Sequence, residues 1–244
     1  MPNCADRTVV SRNRFYKEVS VDAADGTSLR RILLDGKAVK TPGGAVLVLP
    51  SDGLAQAIAE EWRAQDPLIR PETMVLTKLA NTAIDRVAPN PASAREQLVA
   101  IARNDVVCYR ATSPSDLVRR QTATWDPLVA WMRDRFSVAL QSASGLAFVE
   151  QKPSAIAALD SALSERDAFA IAALYAAAAL LGSLVIALAL GERRLGPDDA
   201  FAAANLDKIY QAERWGWDDQ ASAKAASERA ELNQISRFFE LLRT

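Results

Sequence analysis

The chain contains no histidine at all, and that absence removes several chemistries at once. Ser-His-Asp and Cys-His nucleophilic catalysis are excluded, as is every metal site built on imidazole. Cysteine is almost missing too. Cys4 and Cys108 stand far apart and make neither a metal-ligand spacing nor a disulfide framework, which fits a reducing compartment. They read as two ordinary thiols, one in a tail and one in a buried strand. Charge of one sign is not in excess: the net charge is -1, with an isoelectric point near 5.7. The basic footprint of a nucleic-acid binder is therefore absent.

Glycine is sparse and nowhere forms a nucleotide loop. Gly43-Gly44 lacks the Gly-Lys-Ser/Thr ending and leads into a strand, so it reads as a hairpin turn. The N-terminus, from Met1 to Asn13, is polar with no apolar core, so it is not a secretory signal. Arg7, Arg12 and Arg14 only faintly suggest a mitochondrial presequence, against which stand Asp6 and the short length; a bacterial cytoplasm is the simpler expectation. The 244 residues, 50% apolar and 24% charged, have the composition of an ordinary globular protein of one or two domains.

One long apolar run is present. Between Asp167 and Glu192 no residue is charged. As a single helix from 167 to 190 it would be about 35 Å long, at roughly 1.5 Å per residue. Its apolar residues occupy every side, with Phe169, Ala173, Ala176, Leu180 and Ala187 on one face and Ile171, Leu174, Leu181, Val185 and Leu188 on another. Such a helix is buried either in protein or in a bilayer. Abundant alanine, Gly182-Ser183 at the centre and the absence of an aromatic belt or one-sided basic flank favour the core of a soluble helical bundle over a membrane anchor.

Ahead of this run the signals are mixed. Strand formers occupy 14–21, 29–34 and 45–49, separated by turn signals at Asp25-Gly26, Asp35-Gly36 and Thr41 to Gly44. A helix is expected from Ser51, as N-cap, to about Gln65, with Leu54, Ile58 and Trp62 on one face. Residues 74–87 start extended and turn helical near Thr77, pointing Leu79, Ala83 and Val87 inward. A helix over 92–102 precedes a buried strand over 105–110. Ser113 then caps a helix that starts at Pro114 and runs to Phe136, with Val118, Trp125, Val129, Met132 and Phe136 along one side and a kink possible at Pro127. One more strand or hairpin fits around Gly145. Helices follow at 154–164, 167–190, 198–214 and 219–242. The fold class is α+β: a small antiparallel β-rich N-terminal domain (1–111) with two or three helices, then a larger α-helical C-terminal domain (112–244).

The polar stretch that stands out runs from Leu206 to Asp218. On a helix, Asp207, Gln211 and Arg214 make one polar row, and Leu206, Tyr210, Glu213 and Trp217 an adjacent one. Glu213 thus sits on a largely apolar stripe beside Trp215, ahead of Gly216 as a helix stop. A carboxylate in that position is either at the rim of a contact surface or buried with a cation; solvated charges at a helix end are the plainer reading. As a catalytic pair Asp207 and Glu213 lie on different faces, unlike the opposed carboxylates of glycoside hydrolysis. No catalytic residue, metal ligand or cofactor is assigned, although a carboxylate-dependent hydrolase is the alternative class.

Several segments together closely resemble the ATP-twelve family of assembly chaperones. They are Arg14 to Lys17, Leu34 to Pro42, Leu76 to Asp85, Val107 to Arg110, Gln121, Trp125-Asp126-Pro127, Gly182-Ser183, and the run from Asp207 through Gln211, Glu213, Trp215 and Gly216. Each is weak alone; their order over residues 14–242 is specific. Departures occur at Ala102-Arg103-Asn104, where a glycine turn is expected, and at bulky Trp217. The resemblance implies a non-enzymatic role: binding the new α subunit of the F-type ATP synthase catalytic head until it pairs with the β subunit. It implies no cofactor, nucleic acid or membrane insertion, and a monomer is expected. Relatives occur in mitochondria and α-proteobacteria. The implied partner-binding residues are Glu213, Asp207, Gln211, Trp215 and Gly216.

Overall fold

The computed structural model describes residues 12–24, 27–145, 147–216 and 218–244. The Asp25-Gly26 turn, the tail holding Cys4, and Trp217 lie outside them. The architecture is α+β: a small antiparallel sheet near the N-terminus, then a larger helical part.

The first strand, β1 (Arg12–Asn13), pairs antiparallel with the distant β6 (Leu68–Ile69). The main sheet is built from β2 (Val19–Ala23), β3 (Arg30–Leu34), β4 (Lys37–Ala38) and β5 (Val48–Leu49), with β3 hydrogen-bonded to the other three. Asp35 and Gly36 both take positive φ (47° and 77°) between paired Leu34 and Lys37, the primed turn that matches strand twist. The strand expected over 14–21 begins only at Val19. Before it the chain bends at Lys17: the Arg14 guanidinium holds the carbonyls of Tyr16, Lys17 and Gln65, and Asp35 takes the N–H groups of Lys17 and Glu18. The Thr41–Gly44 turn is latched by Asp85, which accepts hydrogen bonds from the Thr41 hydroxyl at 2.6 Å and the Gly43 N–H at 2.8 Å. A Cβ on Gly43 would lie 2.7 Å from that carboxylate, which would have to move and loosen the latch.

Helix α1 (Asp52–Arg63) starts at Ser51, whose hydroxyl accepts the Leu54 N–H as expected. Helix α2 (Val75–Thr82) has no cap of its own. Glu61, from α1, accepts the N–H groups of Leu76 and Thr77, both at 2.8 Å, and so covers its open end. A wide π-turn over Ala83–Val87 swings Asp85 toward the Thr41 turn, while Leu79, Ala83 and Val87 are buried as expected. Helix α3 (Pro91–Arg103) follows.

Three expectations beyond this point need correction. The buried strand over 105–110 is a 3₁₀ turn (Val106–Cys108) followed by the two-residue β7 (Tyr109–Arg110), which pairs parallel with β8 (Ala143–Ser144). Asp105 causes the turn by accepting the Val107 N–H on its own side chain. Helix α4 (Ser115–Phe136) is not capped by Ser113: Pro114 itself holds the cap position in extended conformation. Its buried stripe is Leu117, Gln121, Trp125, Leu128 and Met132, so Val118, Val129 and Phe136 are only half-buried.

The apolar run is broken as well. After α5 (Pro153–Ser164), it forms α6 (Ala168–Leu181) and α7 (Leu184–Gly191). Gly182 ends α6 in the left-handed region (φ 62°), and the Ser183 hydroxyl caps α7 by accepting the Ile186 N–H at 3.0 Å. All eight residues of α7 are buried, whereas α6 leaves Tyr175 and Ala179 exposed and Phe169, Ala176 and Leu180 half-buried, so burial on every side holds for α7 and not for α6. Among the described residues no helix is long and apolar enough to cross a membrane. The helix expected over 198–214 is likewise two, α8 (Pro197–Ala204) and α9 (Leu206–Trp215), parted at Asn205. Helix α10 (Asp219–Leu241) closes the fold. It packs on α6 and α8 and also on α1 and α2, through Leu232, Ile235, Phe238 and Phe239.

Candidate partner-binding site

Helix α9 lies along the first half of α4, and the seam between them gathers most of the polar residues singled out above. Leu206 and Tyr210 face inward and anchor α9. The Tyr210 hydroxyl donates to Asp116 of α4 at 2.7 Å, and Arg214 donates to the other oxygen of the same carboxylate at 2.5 Å. Two guanidinium groups lie against the Tyr210 ring, Arg214 at 3.6 Å from its centroid and Arg120 at 5.4 Å. The hydrogen bonds from Tyr210 and Arg214 hold Asp116 down to about 2, well below the usual carboxylate range. Burial, and then the bond to Asp116, raise the Tyr210 phenol.

The two carboxylates of α9 have separate tasks. Asp207 accepts from Gln121 Nε2 at 2.7 Å, and Gln121 Oε1 accepts the Ala111 N–H at 2.8 Å. Gln121 is 1% exposed, so this chain ties α9 through the interior to the segment entering α4. Glu213 faces outward and pairs with Arg120 at 2.7 Å. With 47% of the Glu213 and 48% of the Arg120 side chain open to solvent, the pair contributes at most about 1 kcal/mol. Glu213 is therefore not buried with its cation: it is a solvated carboxylate near a helix end, paired with Arg120.

Gln211 is exposed, and Trp215 presents 78% of its surface. Gly216 stops the helix at φ 82°, its N–H returning to Ala212. The structure thus brings Gln211, Glu213, Trp215 and Gly216 to the outer end of α9 and turns Asp207 inward. Sequence reasoning missed Asp116 and Arg120. Their four-residue spacing on α4 was visible, but nothing indicated that α9 would lie beside them. Among the described residues no cluster of three or more Cys, Asp or Glu could hold a metal.

An exposed indole thus stands on the same helix as one member of an exposed ion pair. The crystal structure of Atp12 from Paracoccus denitrificans is 37% identical and superposes with a TM-score of 0.87, covering 95% of this chain and 98% of that one. The chain belongs to the ATP12 family. Residues 13–133 also match the family model described as ATP12 chaperone protein. The Atu1473 protein of Agrobacterium tumefaciens is 35% identical, with a TM-score of 0.89 over 95% of this ATP12 chain and 87% of its own. Mitochondrial atp12 of Schizosaccharomyces pombe is 26% identical over 219 residues, 84% of this chain and 74% of the yeast protein.

Proposed function

We propose that this ATP12-family chain is an assembly chaperone of the F-type ATP synthase. It binds the unassembled α subunit of the catalytic head and keeps it from aggregating until the β subunit takes its place. An unassembled subunit exposes an apolar face, and such faces self-associate. A transient cover needs about 800 Å² per partner, with charged rim groups setting specificity and on-rate. Trp215 supplies a bulky anchor, Gln211 and Gly216 frame it, Glu213 offers charge at the rim, and Asp207 orients the helix.

The observation that carries this reading is the exposure of Trp215 and Glu213 together on an element fixed by Asp116, Tyr210 and Gln121. The test is protection of purified α subunit in a thermal aggregation assay. Glu213→Lys is expected to abolish protection while the far-ultraviolet spectrum stays unchanged. The charge swap Arg120→Glu with Glu213→Lys rebuilds the pair with reversed polarity and is expected to stay inactive. If the swap regains protection, Glu213 serves only its neighbour and leaves the site.

A further inference from the structure

The N-terminal sheet carries a second surface, whose walls include no residue of α4 or α9. Phe15, Tyr16, Leu34, Ala38, Val39 and Trp62 enclose a groove of about 370 Å³. Phe15 stands at its mouth with 69% of its surface in solvent. Its ring meets Tyr16 edge-on with centroids 5.3 Å apart, and Tyr16 meets Trp62 at 5.7 Å, so three aromatics descend from solvent to α1. The middle ring is immobilised. Its hydroxyl donates to the Trp62 carbonyl at 2.7 Å, and the Arg14 guanidinium covers it at 4.8 Å. A fixed aromatic wall binds without the ordering cost of a loose one.

Charge around the groove is uneven. Lys37 and Lys40 line it together with Asp35, and Lys17 adjoins Tyr16; all three lysines are exposed, and of them Lys17 acts on the Asp35 carboxylate. The acidic groups nearby are Asp35 and Glu18. Asp35 is turned back on the backbone, accepting the N–H groups of Lys17 at 3.0 Å and Glu18 at 2.8 Å. Three exposed lysines therefore stand against two exposed carboxylates, one of them already engaged by backbone donors.

We propose that this groove docks an extended segment of another protein, in which one bulky apolar side chain is flanked by carboxylates. The apolar side chain stacks on the Phe15–Tyr16 step, and the carboxylates meet Lys37 and Lys40. Such a contact is independent of the seam between α4 and α9 and does not rest on the reading given to that seam.

The test uses the full chain and a fluorescein-labelled heptapeptide with a central phenylalanine between paired carboxylates, followed by fluorescence anisotropy. Two control peptides carry lysines in place of the acids, or serine in place of the phenylalanine. The acidic phenylalanine peptide is expected to bind about tenfold tighter than either control, a difference of about 1.4 kcal/mol. Lys37→Glu with Lys40→Glu, both on exposed side chains, is expected to remove that preference, and Phe15→Ser to weaken binding about tenfold. Equal binding of acidic and basic peptides, or unchanged affinity in the double lysine variant, overturns the proposal. Removing residues 1–11 is expected to leave affinity unchanged. A rise of about tenfold would make the chain's own Val9-Val10 segment the occupant and also overturn it.

Discussion

Asp105 places a carboxylate entirely inside the protein, where an unpaired charge would be untenable. It is held by donors from two directions: the Val107 N–H of its own turn, and the Val185 N–H at 3.0 Å from the first turn of α7. Burial pushes it up to about 6, against hydrogen bonds led by Ser183 that pull it down. Removing it leaves those N–H groups without acceptors at a buried helix start. Asp105→Ala is expected to lower stability by about 2–3 kcal/mol at neutral pH, and Asp105→Asn by less, read from urea midpoints. The sign with pH follows from the raised value. The folded state takes up a proton near pH 6, whereas the unfolded chain waits until about 4, so this group adds stability as pH falls through that window. The alanine variant should lose that gain.

At the scale of elements, one carboxylate of the seam between α4 and α9, Asp116, is touched by two α9 side chains. Asp116 is depressed to about 2, so its contribution to holding α9 is full above about 4 and is lost as pH falls through about 2. Acidification is therefore expected to loosen the Arg214 end of α9, since Tyr210 and Arg214 lose their shared acceptor together while buried Leu206 still anchors the start of the helix. Tyr210 ring chemical shifts followed by NMR between pH 5 and 2 (roughly the window the two values define) would show it. Unchanged shifts across that range would contradict it. Element boundaries were less legible than element types. The Ser51 cap, the Asp35-Gly36 turn and the inward Leu79–Ala83–Val87 row could all be read from local spacing. The break at Gly182 has both of its cap residues in the local sequence, whereas the one at Asn205 carries no such signal. Both interrupt patterns that remain helical in period, and the first is completed by Asp105, 80 residues away from Val185.

Across the whole molecule, one buried cluster runs from Val19 and Ile32 in the sheet to Phe238 in α10. Helices α2 and α3 pack on α6, and α10 reaches back to α1, where the Ser51 hydroxyl also donates to the Leu241 carbonyl at 2.5 Å. We propose that the division into residues 1–111 and 112–244 is one of composition and that the two parts unfold together. A single urea transition, coincident by tryptophan fluorescence and far-ultraviolet dichroism, is expected. Phe238→Ala should shift both signals equally, at a cost of about 3–5 kcal/mol. Two separated transitions would restore independent domains.

The sequence by itself determined the α+β class, the burial of most of the apolar run and the order of motifs that place the chain in its family. Those depend on period, turn chemistry and co-occurrence, which are properties of neighbours along the chain. Only the tertiary structure decided which side chains Glu213 and Asp207 bond. Their partners, Arg120 and Gln121, lie 93 and 86 residues earlier, and a side chain's partner across such distances is fixed by how helices dock. The same holds for the Phe15 groove, whose walls come from a loop, a strand turn and a helix that meet only when the sheet closes on α1.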